Sequence, residues 1–436
     1  MASIITNRFP VSLLVTKLLL WVSKELRSVP MVQPGMNAPS ARGVVATAAP
    51  ALGGMLALAS ALGIGRFVYT PILPAMADAL GLSKTEAGLI AAANFVGYLA
   101  GALIAAAPEL PGGRRAWLFG MLAVGAVTTA AMGWADTTAA FMLLRFAGGV
   151  ASAFVLVLGS GLVLDRLARA GLERWAALHF AGVGLGIAFS ALLIDVLQEV
   201  GAGWQTLWMA AGAAAAVAVP LAAWLVPTTG EPAIADSATR GPSSGRIGLP
   251  RGLGALTLCH GLFGFGYVVT ATFIVVAVRA SPKLRTLEGA VWLVVGLAAM
   301  PSTALWAWVG QRAGVLLAYA LACLLAAVGV AAGGLWHTPA GVLLAAGLLG
   351  GTFMGITALG FTAARALAPE QGRRSSALMT AGFGVGQIAG PLVAGRLLDA
   401  TGSFAVPSTI AAVALAVAAV VAGIAARRPN PANAVT

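Results

Sequence analysis

The chain has 436 residues, of which 59% are hydrophobic and 9% charged, with a mean hydropathy of +0.93 and a formal net charge of +12. Soluble globular chains carry about 25% charged residues, so this composition excludes an ordinary soluble domain and points to a polytopic membrane protein. The basic excess sits in loops between apolar runs, where membrane topology puts it, and this argues against nucleic acid as a partner.

Residues 1–46 differ from the rest of the chain. VSLLVTKLLLWV (11–22) is too short to span a bilayer and carries Lys17. Three readings stay open for this tail: an interfacial amphipathic helix, a disordered segment, or an over-extended start with Met31 or Met36 as initiator. Charges and turn residues then cut the chain into twelve predicted helices, near 48–76, 86–107, 115–134, 138–164, 174–198, 203–226, 252–279, 287–309, 313–335, 339–364, 374–398 and 403–426. They are long runs of Ala, Leu, Val and Gly, without the ten-residue alternation of an outer-membrane barrel. The longest connection, PTTGEPAIADSATRGPSSGRIGLPRG, is polar and rich in Pro, Gly and Ser, and reads as a flexible linker. Cys259 and Cys323 lie alone in apolar runs, so neither a disulfide framework nor a metal site is expected. No GxxxxGK[ST] segment is present, and no nucleotide or other cofactor is expected. Histidines on widely separated segments and few deep acids do not make an enzyme site either, nor is there room in loops this short for a sensor's output domain.

Positive-inside counting orients the helices. One set of loops holds Arg114, Arg115, Arg166, Arg169, Arg174, Arg240, Arg246, Arg251, Arg312, Arg365, Arg373, Arg374, Arg427 and Arg428; the other holds Lys84, Arg279, Lys283 and Arg285. Both termini and the linker are therefore expected on the cytoplasmic side. The halves also repeat. AGVGLG (181–186) matches AGFGVG (381–386) at an offset of 200, and LGIGRFVYT (62–70) aligns with FGFGYVVTA (263–271) at 201. Gly149 and Gly159 match Gly350 and Gly360, again 201 apart. Two parallel six-helix repeats joined by a linker form a transporter layout.

GIGRFVYTPILP (63–74), LHFAGVGLGIAFSALL (178–193), GLFGFGYVVTATF (261–273) and GFGVGQIAGPLVAGRLLDATGSF (382–404) resemble the major facilitator superfamily (MFS), and within it the YbfB/YjiJ-type branch. The resemblance implies an all-α membrane protein of twelve transmembrane helices in two pseudo-symmetric six-helix bundles, and secondary transport through a site near the midplane. Its expected partners are a small-molecule substrate, protons and the lipid bilayer of the cell inner membrane, with the monomer as the default state. LLRFAGGVASA (143–153) is similar to the fourth-helix motif of proton-coupled members, with Arg145 at the arginine position, although Gly148 stands where a glutamine is usual. PELPGGRRA keeps the basic pair Arg114 and Arg115 without a clean Asp-Arg step, leaving Glu109 as the nearest acid. GQIAGPLVAG resembles the GxxxGP antiporter motif but falls in the eleventh helix, where it reads as packing and hinge chemistry. The implied domains are a tail at 1–46, bundles at 47–226 and 252–426, a cytoplasmic linker at 227–251 and a cytoplasmic tail at 427–436.

Ionisable residues inside spans are functional candidates by default. Arg66 is expected to face a cavity, because its repeat mate Tyr267 lies well inside the seventh helix; the alternative is a side chain that snorkels to the outer headgroups. Arg66, Tyr69, Asn94, Arg145, His260, Tyr267 and Gln387 are candidate substrate-binding residues, with Tyr98 as a further hydrogen-bonding group. Asp195, His179, His260 and Arg145 are candidates for proton coupling. Arg145 and Asp195 are expected to pair, against alternatives in which Arg145 clamps carbonyls and Asp195 sits in the outer headgroup layer. A surplus of deep positive charge favours an organic anion; export of a metabolite or drug is the other direction left open.

Overall fold

The computed structural model describes residues 41–107, 110–226, 250 and 252–427, with side chains from Ala49 onward. The membrane-spanning helices belong to the compact unit Ala48–Thr436. The expectations for residues 1–40, Glu109, residues 227–249, Arg251 and the tail from Arg428 lie outside the described residues.

Among the described residues there are twelve helices long and apolar enough to cross a membrane, and no strand. In chain order the spans are Ala49–Leu80, Lys84–Ala105, Arg114–Trp134, Thr138–Arg169, Glu173–Glu199, Trp204–Leu225, Leu253–Ala280, Arg285–Ala313, Val315–Leu335, Pro339–Leu367, Pro369–Thr401 and Ala405–Ala426. Local chemistry sets their ends. The Ser83 hydroxyl accepts from the Glu86 N–H at 3.1 Å while the Glu86 carboxylate accepts from the Ser83 N–H at 2.9 Å, a capping box that starts the second span. Thr137 and Thr338 cap the fourth and tenth spans. Gly81 and Gly402 close the first and eleventh spans in the left-handed region, with φ of 66° and 63°.

The repeat read from glycines is a repeat of contacts. A Cβ on Gly149 would fall on the Asn94 carbonyl oxygen, and one on Gly350 on the Val295 carbonyl oxygen. Both glycines thus bring their helix against the second or eighth span at backbone distance, and Asn94 and Val295 are themselves 201 apart. Gly184 packs on Met300 and Gly384 on Leu99, another pair of mates. Thr70 donates its hydroxyl to the carbonyl of its own mate Ala271 at 2.6 Å. Direct contact between mates places these two residues on the pseudo-two-fold axis.

A seam joins the first six spans to the last six at the helix ends opposite Ala49 and Ala426. There Asp399 accepts from the Lys84 N–H at 2.9 Å, the Thr85 N–H at 2.8 Å and the Thr85 hydroxyl at 2.6 Å, capping a helix of the other half. Arg279 bridges Asp78 at 3.2 Å and Glu288 at 3.1 Å. Gly88 lies against the Pro391 carbonyl and Gly296 against Ala188. These contacts run from the far helix ends to Leu99 and Met300, near mid-helix. One expectation fails: the first span is not a continuous helix, and its break builds the site.

Candidate functional site

The first span is a regular helix, Ala41–Leu58, then a π-helical turn, Ala59–Ile64, then an irregular turn before the helix Tyr69–Leu80. In this region Gly65 N–H bonds Ser60 O at 2.8 Å and Phe67 N–H bonds Leu62 O at 3.1 Å, both five residues back. Pro71 has no N–H to offer the Phe67 carbonyl. The Thr70 N–H turns to that carbonyl instead, at 3.2 Å, and so abandons the Arg66 carbonyl four residues back. Freed carbonyls in a membrane interior must find donors. Arg145 supplies them: its Nη1 donates to Gly65 O at 3.0 Å and its Nη2 to Arg66 O at 2.9 Å. Asn94 steadies the fourth span from the other side by donating to Arg145 O at 2.9 Å.

The break aims Arg66 inward. Its side chain is buried, with the guanidinium carbon 4.4 Å from the Tyr98 ring centroid, 4.7 Å from Phe95 and 5.3 Å from Phe67. Its Nε and Nη2 have no hydrogen-bond partner, and it takes part in no ion pair among the described residues. Removing a cation from water costs several kcal/mol, whereas a desolvated cation–π contact returns about 2 kcal/mol. The rings hold the guanidinium without neutralising it. The open Nε and Nη2 donors form one edge of the fork, the edge that grips a carboxylate with two parallel hydrogen bonds.

Across the axis stands the mate, Tyr267. Gln387 donates from Nε2 to the Tyr267 hydroxyl, leaving Gln387 Oε1 buried without a donor. The Tyr267 ring is parallel to Phe353 (5.8 Å, 8°) and Phe383 (5.9 Å, 5°). Phe67 meets Phe353 edge-on at 5.9 Å and so continues the aromatic layer from Arg66 to Tyr267. Beyond Phe67 lies Trp292, at 6.4 Å, and past it a narrow crevice lined by Pro71, Asp195, Gln198 and Glu288.

The structure therefore brings Arg66, Tyr98, Tyr267 and Gln387 to one place. Tyr69 and Asn94 lie behind it, with Tyr69 donating its hydroxyl to Ala87 O at 2.8 Å and its ring 5.1 Å from the Arg145 guanidinium. The expected pair of Arg145 and Asp195 is not formed. Arg145 is occupied by the broken first span, while Asp195 is exposed beside Gly289 at the far end of the eighth span. His260 is fully buried among Phe263, Phe361 and Phe383, with Nδ1 3.3 Å from the Tyr319 hydroxyl, one ring removed from Tyr267. His179 lies apart, with Nε2 3.0 Å from Ser160 Oγ and its ring against Gly54. The aromatic partners Phe67, Phe95, Phe353 and Phe383 are not evident from composition. Their signal is positional, since Phe95 and Tyr98 share a helix face and Phe383 sits within the repeated glycine motif.

The same fold occurs in solved structures of the nucleoside transporter NupG. A point mutant of it gives a TM-score of 0.66 at 16% identity, covering 86% of this chain and 100% of that one. The unmutated protein gives 0.62 at 16% identity, covering 88% and 100%. At such identity the likeness concerns the fold alone. Twelve helices long enough to span a membrane, together with the family model, make this a membrane transporter of the MFS type. The family model described as "Uncharacterised MFS-type transporter YbfB" matches residues 58–423, and the chain belongs to that family. Among curated proteins it is similar to the gentisate transporter of Corynebacterium glutamicum, with 24% identity over 168 residues; the match spans 38% of this chain and 38% of that transporter's length.

Proposed function

We propose that the chain carries a small organic anion across the cell inner membrane by alternating access, with Arg66 as the anchor. One observation carries this reading: a guanidinium only 4% exposed, without a carboxylate partner among the described residues and with two donors open. An anion that arrives and leaves gives such a cation its neutralising partner for part of each cycle. The gentisate transporter adds support, since gentisate is a carboxylate. Rocking of one repeat against the other moves the site between the two faces. The arginine distribution supports cytoplasmic termini, which makes the seam through Asp78, Arg279 and Asp399 the external gate.

In this reading protons drive the cycle. Asp195 is the best placed of the four coupling candidates, because it is exposed and sits where the fifth span meets the eighth. Rocking changes its surroundings, whereas His179 and His260 are enclosed within single halves and Arg145 is held by carbonyls.

Flux into proteoliposomes, against a panel of carboxylates with and without a pH gradient, tests both parts and gives the direction. Arg66→Gln removes two charge-assisted hydrogen bonds and is expected to cut carboxylate flux roughly 100-fold while the purified variant keeps its gel-filtration profile. Unchanged flux would remove the anion reading. Asp195→Asn is expected to abolish accumulation driven by the pH gradient while counterflow exchange persists. Gradient-driven accumulation that survives this change would exclude Asp195 as the carrier.

A further inference from the structure

The site has two open ends of opposite hydrogen-bonding character, and together they specify the cargo more narrowly. At one end the Nε and Nη2 donors of Arg66 lack an acceptor; at the other, Gln387 Oε1 lacks a donor. All three atoms are buried in residues that are 4% and 0% exposed. Unpaired buried polar atoms are costly, and a bound ligand that pairs with them relieves that cost. Both ends are set among buried rings: Phe95, Tyr98 and Phe67 around the guanidinium, and Phe353 and Phe383 near-parallel to the Tyr267 ring whose hydroxyl Gln387 bonds.

An unsubstituted aliphatic acid satisfies the first end only, a hydroxylated one reaches both but has no flat face for the rings, and inorganic anions have no surface to lay against them. A flat ring stacks or meets edges with such rings at 4.5–7 Å centroid spacing, and a planar carboxylate lies in the plane of the Arg66 fork. Gln387 Oε1 calls for an O–H or N–H on the ligand, because its own amide nitrogen already holds the Tyr267 hydroxyl. Arg66 and Tyr267 are repeat mates, so the ligand lies across the pseudo-two-fold axis with its charged end on the first half and its donor end on the second. Both halves then contact one molecule, as a carrier that rocks around its cargo requires.

We propose that the cargo is an aromatic carboxylate bearing a ring hydroxyl or amine, its carboxylate on the Nε–Nη2 edge of Arg66 and its ring donor on Gln387 Oε1. This rests on the organic-anion reading and deepens it.

The test is calorimetric binding of three probes to the purified full-length chain: para-hydroxybenzoate, benzoate and cyclohexanecarboxylate. All three are monocarboxylates; the second lacks the ring donor and the third also lacks the flat π-face. The expected order is para-hydroxybenzoate over benzoate over cyclohexanecarboxylate, with each step about tenfold, the size of one buried hydrogen bond or stacking contact. Gln387→Leu is expected to bring para-hydroxybenzoate down to the level of benzoate, and Gln387→Glu, which keeps the acceptor, to retain part of the preference. Equal binding of all three acids would overturn this inference while leaving the organic-anion reading intact. Binding of none of them, with carboxylate flux also indifferent to Arg66→Gln, would sink both. A preference for para-hydroxybenzoate that survives Gln387→Leu would overturn the assignment of the donor end.

Discussion

At the scale of residues, two arginines do different work. Arg66 keeps one edge of its fork without an acceptor, and Arg145 spends its guanidinium on the two carbonyls that the break in the first span leaves without donors. Replacing Arg145 by Met removes both charge-assisted bonds and strands two buried acceptors, an expected loss of about 3 kcal/mol, read as a lowered melting midpoint in detergent. Arg145→Lys, with a compact head in place of the fork, should recover only part of it. A midpoint unchanged by Arg145→Met would show that the carbonyls find other donors. The depth of Arg66 was legible in the sequence because its mate Tyr267 is followed by a long uncharged run. The partner of Arg145 was not. Its bonds exist because the irregular turn frees the Gly65 and Arg66 carbonyls, the second of them through the Thr70 N–H that turns to Phe67 O, and a helix drawn straight through 48–76 has no free carbonyls to offer. Pairing with Asp195 was the natural expectation for two opposite charges in lipid; the break removed the need for it.

At the scale of elements, glycine sets how closely spans approach. Gly149 and Gly350 are the same position in the two repeats, and at both a Cβ would meet a backbone carbonyl of the neighbouring span. Backbone cannot rotate out of the way as a side chain does. Gly149→Val and Gly350→Val are each expected to cost about 3 kcal/mol, and by similar amounts because the contacts are mates. Gly351→Ala, where nothing lies within 4 Å of the added carbon, should leave the melting midpoint unmoved or slightly raised. Equal tolerance at all three would refute the close approach. The spans themselves were legible to within a few residues, since hydropathy and charge fix where a helix leaves the bilayer. The repeat was legible because close helix packing leaves glycines behind. The π-helical turn was not, because its sequence, ASALGI, is as apolar and helix-compatible as its surroundings.

At the scale of the whole molecule, the seam between the halves is held by contacts that must part for the carrier to open there. Asp399 caps a helix of the other half, and Arg279 joins Asp78 of the first half to Glu288 of the second. A cysteine at Ala191, buried along the crevice behind this seam, reports on it; Cys259 and Cys323 are buried and give little background. Labelling of Ala191→Cys by a membrane-impermeant maleimide is expected to be slow in the parent protein and several-fold faster once Asp399→Ala and Arg279→Gln loosen the seam. Equal rates would mean that these contacts do not hold the gate.

The central claim is that one buried guanidinium receives the anion. Dipolar-recoupling solid-state NMR tests it directly, using carboxyl-carbon-labelled para-hydroxybenzoate bound to membrane-embedded protein with nitrogen-labelled arginine. The account predicts a carbon–nitrogen contact of about 4 Å, the spacing of a bidentate pair, that disappears in Arg66→Gln and persists in Arg312→Gln. Bound ligand without that contact, or a contact that survives loss of the Arg66 guanidinium, would contradict it.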